Sequence, residues 1–223
     1  MLIKITIKLS ALLLIAYASA FAQDRQKTGT SPYIFPEFTK GVVLQKGGGS
    51  VEALLDYNTI SQEMLFDQNG SKLVLDQTDN IDTIVIANRK FIPARNVFFE
   101  KLTETAIPLY IQYKSKALKN GASYDMGGGS NQSTAGFIGA KKTATDPNKI
   151  ETYNLQLPDS YQLKPENLFW VQKGAAFYPT SNLKKIIKLF PGKEAAIEAF
   201  IKENNISMNK KEDVVKLINF SNK

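Results

Sequence analysis

Acid–base chemistry in this chain would depend on carboxylates, lysines and tyrosines, because its 223 residues include no histidine and no cysteine. This composition excludes Ser-His-Asp and Cys-His catalysis, HExxH metal sites, Cys-ligated zinc and iron–sulfur clusters. It also excludes disulfides and a thiolate nucleophile. Most common hydrolase mechanisms are therefore excluded.

Eight acidic residues fall in or near the stretch that the sequence predicts to be β-sheet, at Asp56, Glu63, Asp67, Asp76, Asp79, Asp82, Glu100 and Glu104. Two opposed carboxyl groups about 5–10 Å apart could hydrolyse a glycoside. Acidic residues at this frequency are also typical of solvated strand ends and turns, which is the favoured interpretation. A carboxylate-based glycoside hydrolase or lyase acting on polysaccharide is accordingly the alternative function.

Two Ser-Lys pairs, Ser71-Lys72 and Ser115-Lys116, offer the other hydrolase arrangement that needs no histidine. Adjacent residues on a strand point to opposite faces, so neither serine can form the required hydrogen bond with its neighbouring lysine. Both pairs are excluded as catalytic dyads.

Two further stretches contain residue types that bind ions or phosphate. The cluster Asp76, Asp79, Asn80 and Asp82 lacks the spacing and the terminal glutamate of an EF-hand, which favours turn capping over calcium binding. The glycine-rich stretch Lys46–Ser50 lacks the Gly-Lys-Ser/Thr ending of a P-loop, which favours a flexible turn over a phosphate site. The sequence predicts no cofactor and no metal.

The residues from 51 to 92 form short apolar runs separated by turn residues, which is typical of an antiparallel β-meander whose strands pair with their sequence neighbours. Asn69-Gly70 is the strongest signal, because this pair tolerates the positive φ that both central residues of a type I′ turn need. It predicts a hairpin of Glu63–Phe66 and Lys72–Leu75. Asn88-Arg89 predicts a second tight turn.

Other strands are predicted from alternating or bulky apolar residues, at Gly41–Gln45, Val51–Tyr57, Thr83–Ala87, Lys90–Ile92, Val97–Leu102, Ala106–Lys116, Glu151–Leu157, Leu168–Val171 and Ala175–Tyr178. Pro93 is expected to end the strand before it. Ala106–Lys116 is expected to have one buried and one wet face. Trp170, the single tryptophan, is a candidate sugar-stacking platform, although a tryptophan in an apolar run is more typical of core.

The stretch from 118 to 150 is rich in glycine, serine, threonine and asparagine, and it predicts a long mobile loop inside the β-rich domain. Tyr124, Phe137 and Ile138 are its apolar residues that could contact a partner. Packing of these side chains on the base of the loop is the simpler alternative.

The hydrophobic period changes to that of a helix after about residue 181. Asn182 can cap a short helix that places Lys184, Lys185 and Lys188 opposite its apolar residues. Two more amphipathic helices follow Pro191-Gly192, and three short helices must pack on each other or on the sheet. The three lysines are candidate contacts for an acidic partner.

Residues 1–22 predict a secretory signal peptide, with two lysines before an apolar run and Ala22 at a small-residue cleavage site. Cleavage after Ala22 is expected, and an uncleaved membrane anchor is the alternative. Residues 23–40 then form an extended or disordered lead-in. The mature chain is expected to have no transmembrane span.

The net charge of the chain is +7, and it falls to about +5 without the two lysines of the signal peptide. A basic surface attracts acidic partners such as lipopolysaccharide, anionic lipid or polysaccharide, or another envelope protein. Nucleic acid is not expected in an exported chain that lacks interleaved aromatic and basic residues.

The runs LKKIIKLFPGKEAAIEAFIKENN and KKEDVVKLINF, together with VEALLDYNTISQEMLF, DTIVIANRKFIP and FFEKL upstream, resemble a group of uncharacterised exported β-rich proteins of Bacteroidota. The resemblance is a pattern of strands and helices over most of the mature chain. It implies a Gram-negative cell, with the protein in the periplasm, at the outer membrane or outside the cell. No functional residue is carried over, because the group has no established activity.

The sequence therefore predicts an α+β protein. An antiparallel β-meander, as a sandwich or a roll, is expected over residues 41–180, followed by a small cluster of short helices over 181–223 that packs on it. The favoured function is non-catalytic binding or scaffolding in the cell envelope.

Overall fold

In the computed structural model, residues 31–119 and 161–223 are described. The predicted signal peptide, most of the predicted loop and the predicted strand Glu151–Leu157 lie outside these ranges. The first eight strands are β1 (Thr39–Gln45), β2 (Ser50–Asn58), β3 (Glu63–Gln68), β4 (Ser71–Val74), β5 (Ile81–Ile86), β6 (Arg89–Ala94), β7 (Val97–Lys101) and β8 (Leu109–Gln112). The remaining described elements are β9 (Ser115–Lys119), β10 (Tyr161–Pro165), β11 (Leu168–Lys173), β12 (Ala176–Pro179), α1 (Leu183–Ile187), α2 (Glu194–Glu203) and α3 (Lys211–Ser221).

Ten of these strands form one antiparallel sheet in the order β12-β11-β8-β7-β6-β5-β1-β2-β3-β4, and β9 pairs with β10 in a small second sheet. The predicted α+β arrangement, an antiparallel meander followed by short helices, is confirmed. Consecutive described strands do not pair at three steps, which are β4 to β5, β8 to β9 and β10 to β11. Within the predicted meander the exception is β5, which pairs with β1 and not with β4. A 3-10 turn at Thr78–Asn80 brings the chain to the second side of β1, where the carbonyl of Asn80 accepts the N–H of Lys46 at 3.0 Å. This pairing satisfies backbone groups on both sides of β1.

The two predicted hairpin turns have different outcomes. Asn69 and Gly70 connect β3 and β4 with φ values of 56° and 85°, which confirms the type I′ prediction. The second turn is wrong by one residue, because Ala87 and Asn88 adopt positive φ values of 46° and 64° and Arg89 is the first residue of β6. The shift matters because it makes Arg89 part of β6 and places its side chain on the same face of the sheet as Phe91.

Pro93 lies inside β6 and does not end it. It faces Phe98 of β7 at a position where the alternating ladder bonds turn the backbone nitrogen away from β7. On the other side, the ladder between β6 and β5 has already ended at Phe91. The missing N–H of proline therefore removes no ladder bond.

The predicted strand Ala106–Lys116 is two strands, because the chain leaves the large sheet after β8 and enters the small sheet at β9. The prediction of one wet face is also wrong for β8. Leu109, Tyr110 and Ile111 are at most 4% exposed. The helices cover Leu109 on one face, and aromatic side chains cover Tyr110 on the other.

The predicted loop 118–150 begins two residues too early. Leu118 and Lys119 belong to β9 and pair with Gln162 and Tyr161 of β10. Their ladder partners follow in sequence only after residue 160, so the local composition contains no signal for this pairing.

The large sheet bends in two opposite directions. The rings of Tyr57 on β2 and Phe91 on β6 stack with centroids 6.5 Å apart, although three strand spacings, about 14 Å on a flat sheet, separate them. The ring centroids of Phe99 on β7 and Phe177 on β12 are 5.5 Å apart, although three strand spacings also separate these two strands. Phe91 faces Glu100 across β6 and β7, so Phe91 and Phe99 lie on opposite faces. The sheet is thus a roll with a first trough around Tyr57 and Phe91 and a second trough, on the other face, around Phe99 and Phe177.

Residues 32–38, which we call the strap, lie along the end of β2. The N–H of Ile34 donates to the carbonyl oxygen of Tyr57 at 3.2 Å. Phe35 enters the first trough and is 7% exposed, and its ring meets that of Phe91 edge to face at 6.2 Å. The part of the predicted lead-in that the structure describes is therefore fixed to the sheet.

The helices pack on the sheet face opposite the second trough. The side chain of Asn182 accepts the N–H of Lys185 at 3.0 Å, which confirms the predicted cap of α1. Ile186 of α1 shares a core with Leu109 of β8 and Val171 of β11. The buried apolar residues of the other two helices belong to the same core, namely Ile197, Val214, Leu217 and Ile218. The predicted helical tail is thus attached to the β-sheet through one continuous apolar interface.

Candidate functional site

Several of the acidic residues that the sequence singled out bind groups close to them in the chain. These local acceptors are Asp67 for the N–H of Gly70, Asp76 for the N–H of Gln77 and Asp82 for the hydroxyl of Thr83. The bonds of Asp67 and Asp76 are typical of turn capping, whereas that of Asp82 joins neighbouring side chains within β5. Within residues 31–119 and 161–223, no three acidic side chains converge in a way that could hold a metal ion.

Glu100 and Arg89 form an ion pair in the first trough. Arg89 Nε donates to Glu100 Oε1 at 2.8 Å, and Arg89 Nη2 donates to Oε2 at 2.9 Å. The hydroxyl of Tyr113 donates to Glu100 Oε2 at 2.5 Å. Burial and the charge of Glu100 raise the pKa of Tyr113, which keeps this hydroxyl protonated. Both carboxylate oxygens of Glu100 are therefore engaged by protein donors.

The guanidinium of Arg89 is enclosed by aromatic rings. It lies 4.9 Å from the ring centroid of Phe35, 5.3 Å from that of Phe91 and 5.4 Å from that of Tyr113. Burial alone would lower the pKa of Arg89, but the bond to Glu100 and its negative charge raise it. The ring faces and the paired carboxylate thus stabilise a cation that the apolar trough alone would disfavour.

Asp56 is the second buried carboxyl group and is 1% exposed. Its Oδ1 accepts the N–H of Tyr57 at 2.7 Å and the N–H of Phe35 at 3.2 Å. Burial raises the pKa of Asp56 to about 7, while the N–H bonds and the charge of Arg89 limit the rise. The group therefore connects the strap to β2 and changes its charge near neutral pH.

We call Asp56, Arg89, Glu100 and Tyr113 the charged cluster. A glycosidase needs one carboxyl as acid and a second as base or nucleophile on opposite sides of the substrate. In the charged cluster, Glu100 binds a guanidinium and a phenol, and Asp56 binds backbone N–H groups. These contacts join the strap, β2, β6, β7 and Tyr113, which follows β8. The charged cluster therefore stabilises the fold.

Arg89 was not identified from the sequence, where it was interpreted as a turn residue. The alternation of β6 contains the signal that could have found it, because Arg89 lies two residues from the apolar Phe91 and so shares its face. Glu100 was among the eight acidic candidates, but nothing in the sequence distinguishes it from the exposed Glu104. Their different environments come from the packing of the troughs.

Trp170 lies in the second trough as a core residue and is 8% exposed. Its ring stacks on Phe99 with centroids 5.2 Å apart, and the guanidinium of Arg95 lies 5.0 Å from the Trp170 ring centroid. Its Nε1–H donates to Gln112 Oε1 at 3.0 Å. Because protein groups occupy the indole on these sides, the core interpretation is favoured over the sugar platform.

The predicted contact lysines lie on or directly after one short helix. Lys184 and Lys185 are exposed on α1 and Lys188 is exposed directly after it, while Ile186 and Phe190 are buried in the core beneath. The apolar contacts therefore fix the helix so that its lysines face the solvent. The other predicted contacts, Tyr124, Phe137 and Ile138, lie outside the described residues and stay predictions.

Two further lysines border α1. Lys173 Nζ donates to the carbonyl oxygen of Leu189 at 3.4 Å, and Lys193 Nζ donates to that of Ser221 at 3.1 Å. We call the five residues Lys173, Lys184, Lys185, Lys188 and Lys193 the basic face. The chain from 167 to 193 contains these five lysines and no acidic residue. That run of a single charge sign is the sequence signal that would have added Lys173 and Lys193 to the prediction.

Comparison of the chain with family models, with curated proteins and with solved structures found no match. None of the described helices combines the length and the apolar composition that a membrane crossing requires.

Proposed function

We propose that this protein is an exported, non-catalytic component of a Gram-negative cell envelope that binds an acidic envelope component through the basic face. The observation that carries the proposal is the exposure of Lys184, Lys185 and Lys188, on and directly after a helix whose other side is buried in the core. An exposed group of positive charges, in a stretch of chain without a carboxylate, raises the local concentration of anionic partners.

Export and a non-catalytic role have separate support. Residues 1–22 have the charge, apolar run and small residues of a signal peptide, and the resemblance to exported proteins of Bacteroidota agrees with that interpretation. The non-catalytic part is supported by the charged cluster, because the oxygens of Glu100 and Asp56 Oδ1 bind groups of the protein.

The proposal is tested with purified residues 23–223 and envelope fragments of a Gram-negative cell in a sedimentation assay. The bound fraction is expected to fall when NaCl is raised from roughly 50 to 200 mM, because salt screens exposed charges. The triple variant Lys184→Gln, Lys185→Gln, Lys188→Gln is expected to lose most binding. The matched control Lys202→Gln, Lys210→Gln, Lys216→Gln removes the same charge from exposed positions around α2 and α3 and should keep it. Equal binding by the two triple variants would contradict the proposal.

The predicted loop residues need a separate arm of this assay. The triple variant Tyr124→Ser, Phe137→Ser, Ile138→Ser leaves the charge unchanged, so any loss of sedimentation reports apolar contact. Unchanged binding by this variant would remove the three residues from the contact surface and leave the basic face as the contact.

The alternative function, a carboxylate-based glycoside hydrolase or lyase, has one observation in its favour. The pKa of Asp56 is about 7, which is the range of a general acid at neutral pH. Under the binding proposal, the wild-type protein releases no reducing ends or unsaturated sugars from envelope polysaccharide. Release by the wild type that Asp56→Asn abolishes would favour the enzyme instead.

A further inference from the structure

An exposed apolar strand lies next to the basic face. Strand β12 is the edge of the large sheet, and its Ala176, Tyr178 and Pro179 are exposed, with Tyr178 at 44%. Tyr178 pairs with Val171 of β11, and Val171 belongs to the core under the helices. Directly paired residues of an antiparallel sheet share a face, so Tyr178 lies on the face that the helices occupy.

The basic face and this strand are joined by a direct contact. Lys173 ends β11, just before the turn into β12, and its Nζ binds the carbonyl oxygen of Leu189 after α1. This contact, together with the shared core of Val171 and Ile186, places the β11–β12 hairpin beside α1 and the residues that follow it. Lysine ammonium groups and an exposed tyrosine consequently lie on neighbouring parts of one surface.

The geometry points to a lipid surface that bears anionic phosphate headgroups as the acidic component, an inference that rests on the proposed function. Lysines near such a surface are attracted to its phosphates, and their methylene stems can lie in the interface while the ammonium stays hydrated. Tyrosine prefers the same depth, because its ring is apolar and its hydroxyl is polar. A soluble polyphosphate would use the lysines but would gain little from Tyr178. An acidic polysaccharide, whose sugar rings can also stack on tyrosine, is distinguished from lipid by its binding to the protein as immobilised alginate.

Strand addition by a second copy is a weaker explanation for the exposed edge. Ala176 and Tyr178 point their backbone groups toward β11, because the pair that closes a two-residue hairpin and every second pair after it exchange ladder bonds. The outward positions are then Phe177 and Pro179, and proline has no N–H to donate. Proline on an edge strand is one of the ways in which proteins block further pairing.

The test uses the mature chain, residues 23–223, and sedimentation with two kinds of vesicle. One is pure phosphatidylcholine, and the other contains roughly 30% phosphatidylglycerol to supply negative surface charge. We expect binding to the anionic vesicles only. The triple variant Lys184→Gln, Lys185→Gln, Lys188→Gln should bind roughly 100-fold more weakly, whereas the control Lys202→Gln, Lys210→Gln, Lys216→Gln should stay within roughly threefold of the wild type.

Tyr178 separates a lipid surface from other anions. Tyr178→Ser should weaken vesicle binding roughly threefold to tenfold without changing its salt dependence, because the substitution removes an interfacial ring and no charge. Tyr178→Phe keeps the ring and should bind within roughly twofold of the wild type. Circular dichroism confirms that each variant is folded. Identical vesicle binding by Tyr178→Ser and the wild type would overturn the role of the ring in the inference.

Two further experiments, binding to immobilised alginate and displacement by inorganic phosphate, distinguish a failure of the lipid inference from a failure of the proposed function. Binding to immobilised alginate but not to anionic vesicles would overturn the lipid inference and leave the proposed function standing. Binding to neither, together with no binding to envelope fragments, would overturn both. Displacement from vesicles by inorganic phosphate at matched ionic strength would indicate a discrete phosphate site and overturn the lipid surface.

Discussion

Two ion pairs hold β6 and the chain around β7 from opposite faces of the sheet, and they are built in opposite ways. Arg89 and Lys90 are adjacent on β6 and therefore point to different faces. Arg89 binds Glu100, whose side chain is 6% exposed, whereas Lys90 binds Glu104, whose side chain is 61% exposed. The same strand thus makes a largely buried bridge on one side, in which the side chain of Arg89 is 27% exposed, and a solvated bridge on the other. Only the largely buried bridge should matter for stability.

The two troughs differ in the same way. The first trough encloses charge, because Arg89 and Glu100 lie in it beside Phe35 of the strap. Asp56 points to the other face of β2 and accepts the N–H of Phe35. The second trough encloses stacked rings whose polar atoms bind neutral amides, such as the indole N–H of Trp170 bound to Gln112. Because Asp56 binds the strap, the stability contribution of the strap and of the first trough that it covers should depend on pH, and that of the second trough should not.

The largest single loss is expected in the second trough. Phe99 is 0% exposed and contacts the rings of both Trp170 and Phe177. Phe99→Ala should lower the free energy of unfolding by about 4 kcal/mol, because it removes a buried ring and leaves a cavity. Urea denaturation at pH 5 and pH 8 measures this, and the loss should be the same at both values. The control is Leu44→Ala, at a residue that is 37% exposed. It should change the free energy of unfolding by less than about 1 kcal/mol.

A somewhat smaller loss is expected from breaking the buried bridge. Glu100→Ala should lower the free energy of unfolding by about 3 kcal/mol, because Arg89 would then remain in the first trough without its carboxylate. The double variant Arg89→Leu, Glu100→Leu should recover part of this loss, since it removes both charges. If Glu100→Ala lowers the free energy of unfolding by less than about 1 kcal/mol, water already enters the first trough.

Asp56, which binds the strap from the other face of β2, tests whether the attachment of the strap over the first trough responds to pH. Its pKa rises from 3.8 in an unfolded chain to about 7 in the folded protein, so the folded state keeps a proton that the unfolded state has released. The resulting stabilisation is fully present below about pH 4 and is lost as the pH rises through 7. The free energy of unfolding should fall by about 2 kcal/mol between roughly pH 5 and 7.5. Asp56→Asn should remove this slope, whereas the exposed control Asp67→Asn should keep it.

The features that were predictable from the sequence depend on neighbouring residues. Asn69-Gly70 defines its hairpin through the φ values that it tolerates, and Asn182 defines the start of α1 through a bond to a residue three positions away. The period of α1 likewise predicted which lysines face the solvent. These signals lie within a few residues of the structure that they predict.

The features that the sequence did not reveal are long-range. The pairing of β5 with β1 depends on which strand still has backbone groups to satisfy, and the burial of Asp56 depends on Phe35, twenty-one positions earlier. Glu100 and Glu104 look alike in the sequence, and only the curvature of the sheet separates them. The opposed troughs come from side chains that meet across three strand spacings, which no local pattern encodes.

The smallest effect is expected at the solvated bridge, where Glu104 binds Lys90 at 2.7 Å and also binds Lys101. The bonds from Lys101 and Lys90 lower the pKa of Glu104 to about 2, so any stabilisation is present above its ordinary pKa of 4.5 and is lost as the pH falls toward 2. Water screens a carboxylate with this exposure, and Glu104→Gln should lower the free energy of unfolding by no more than about 0.5 kcal/mol. Glu100→Gln is the matched change on the other face and should cost several times more. A loss of more than about 1 kcal/mol from Glu104→Gln that persists in roughly 1 M salt would show that exposure does not separate the two bridges.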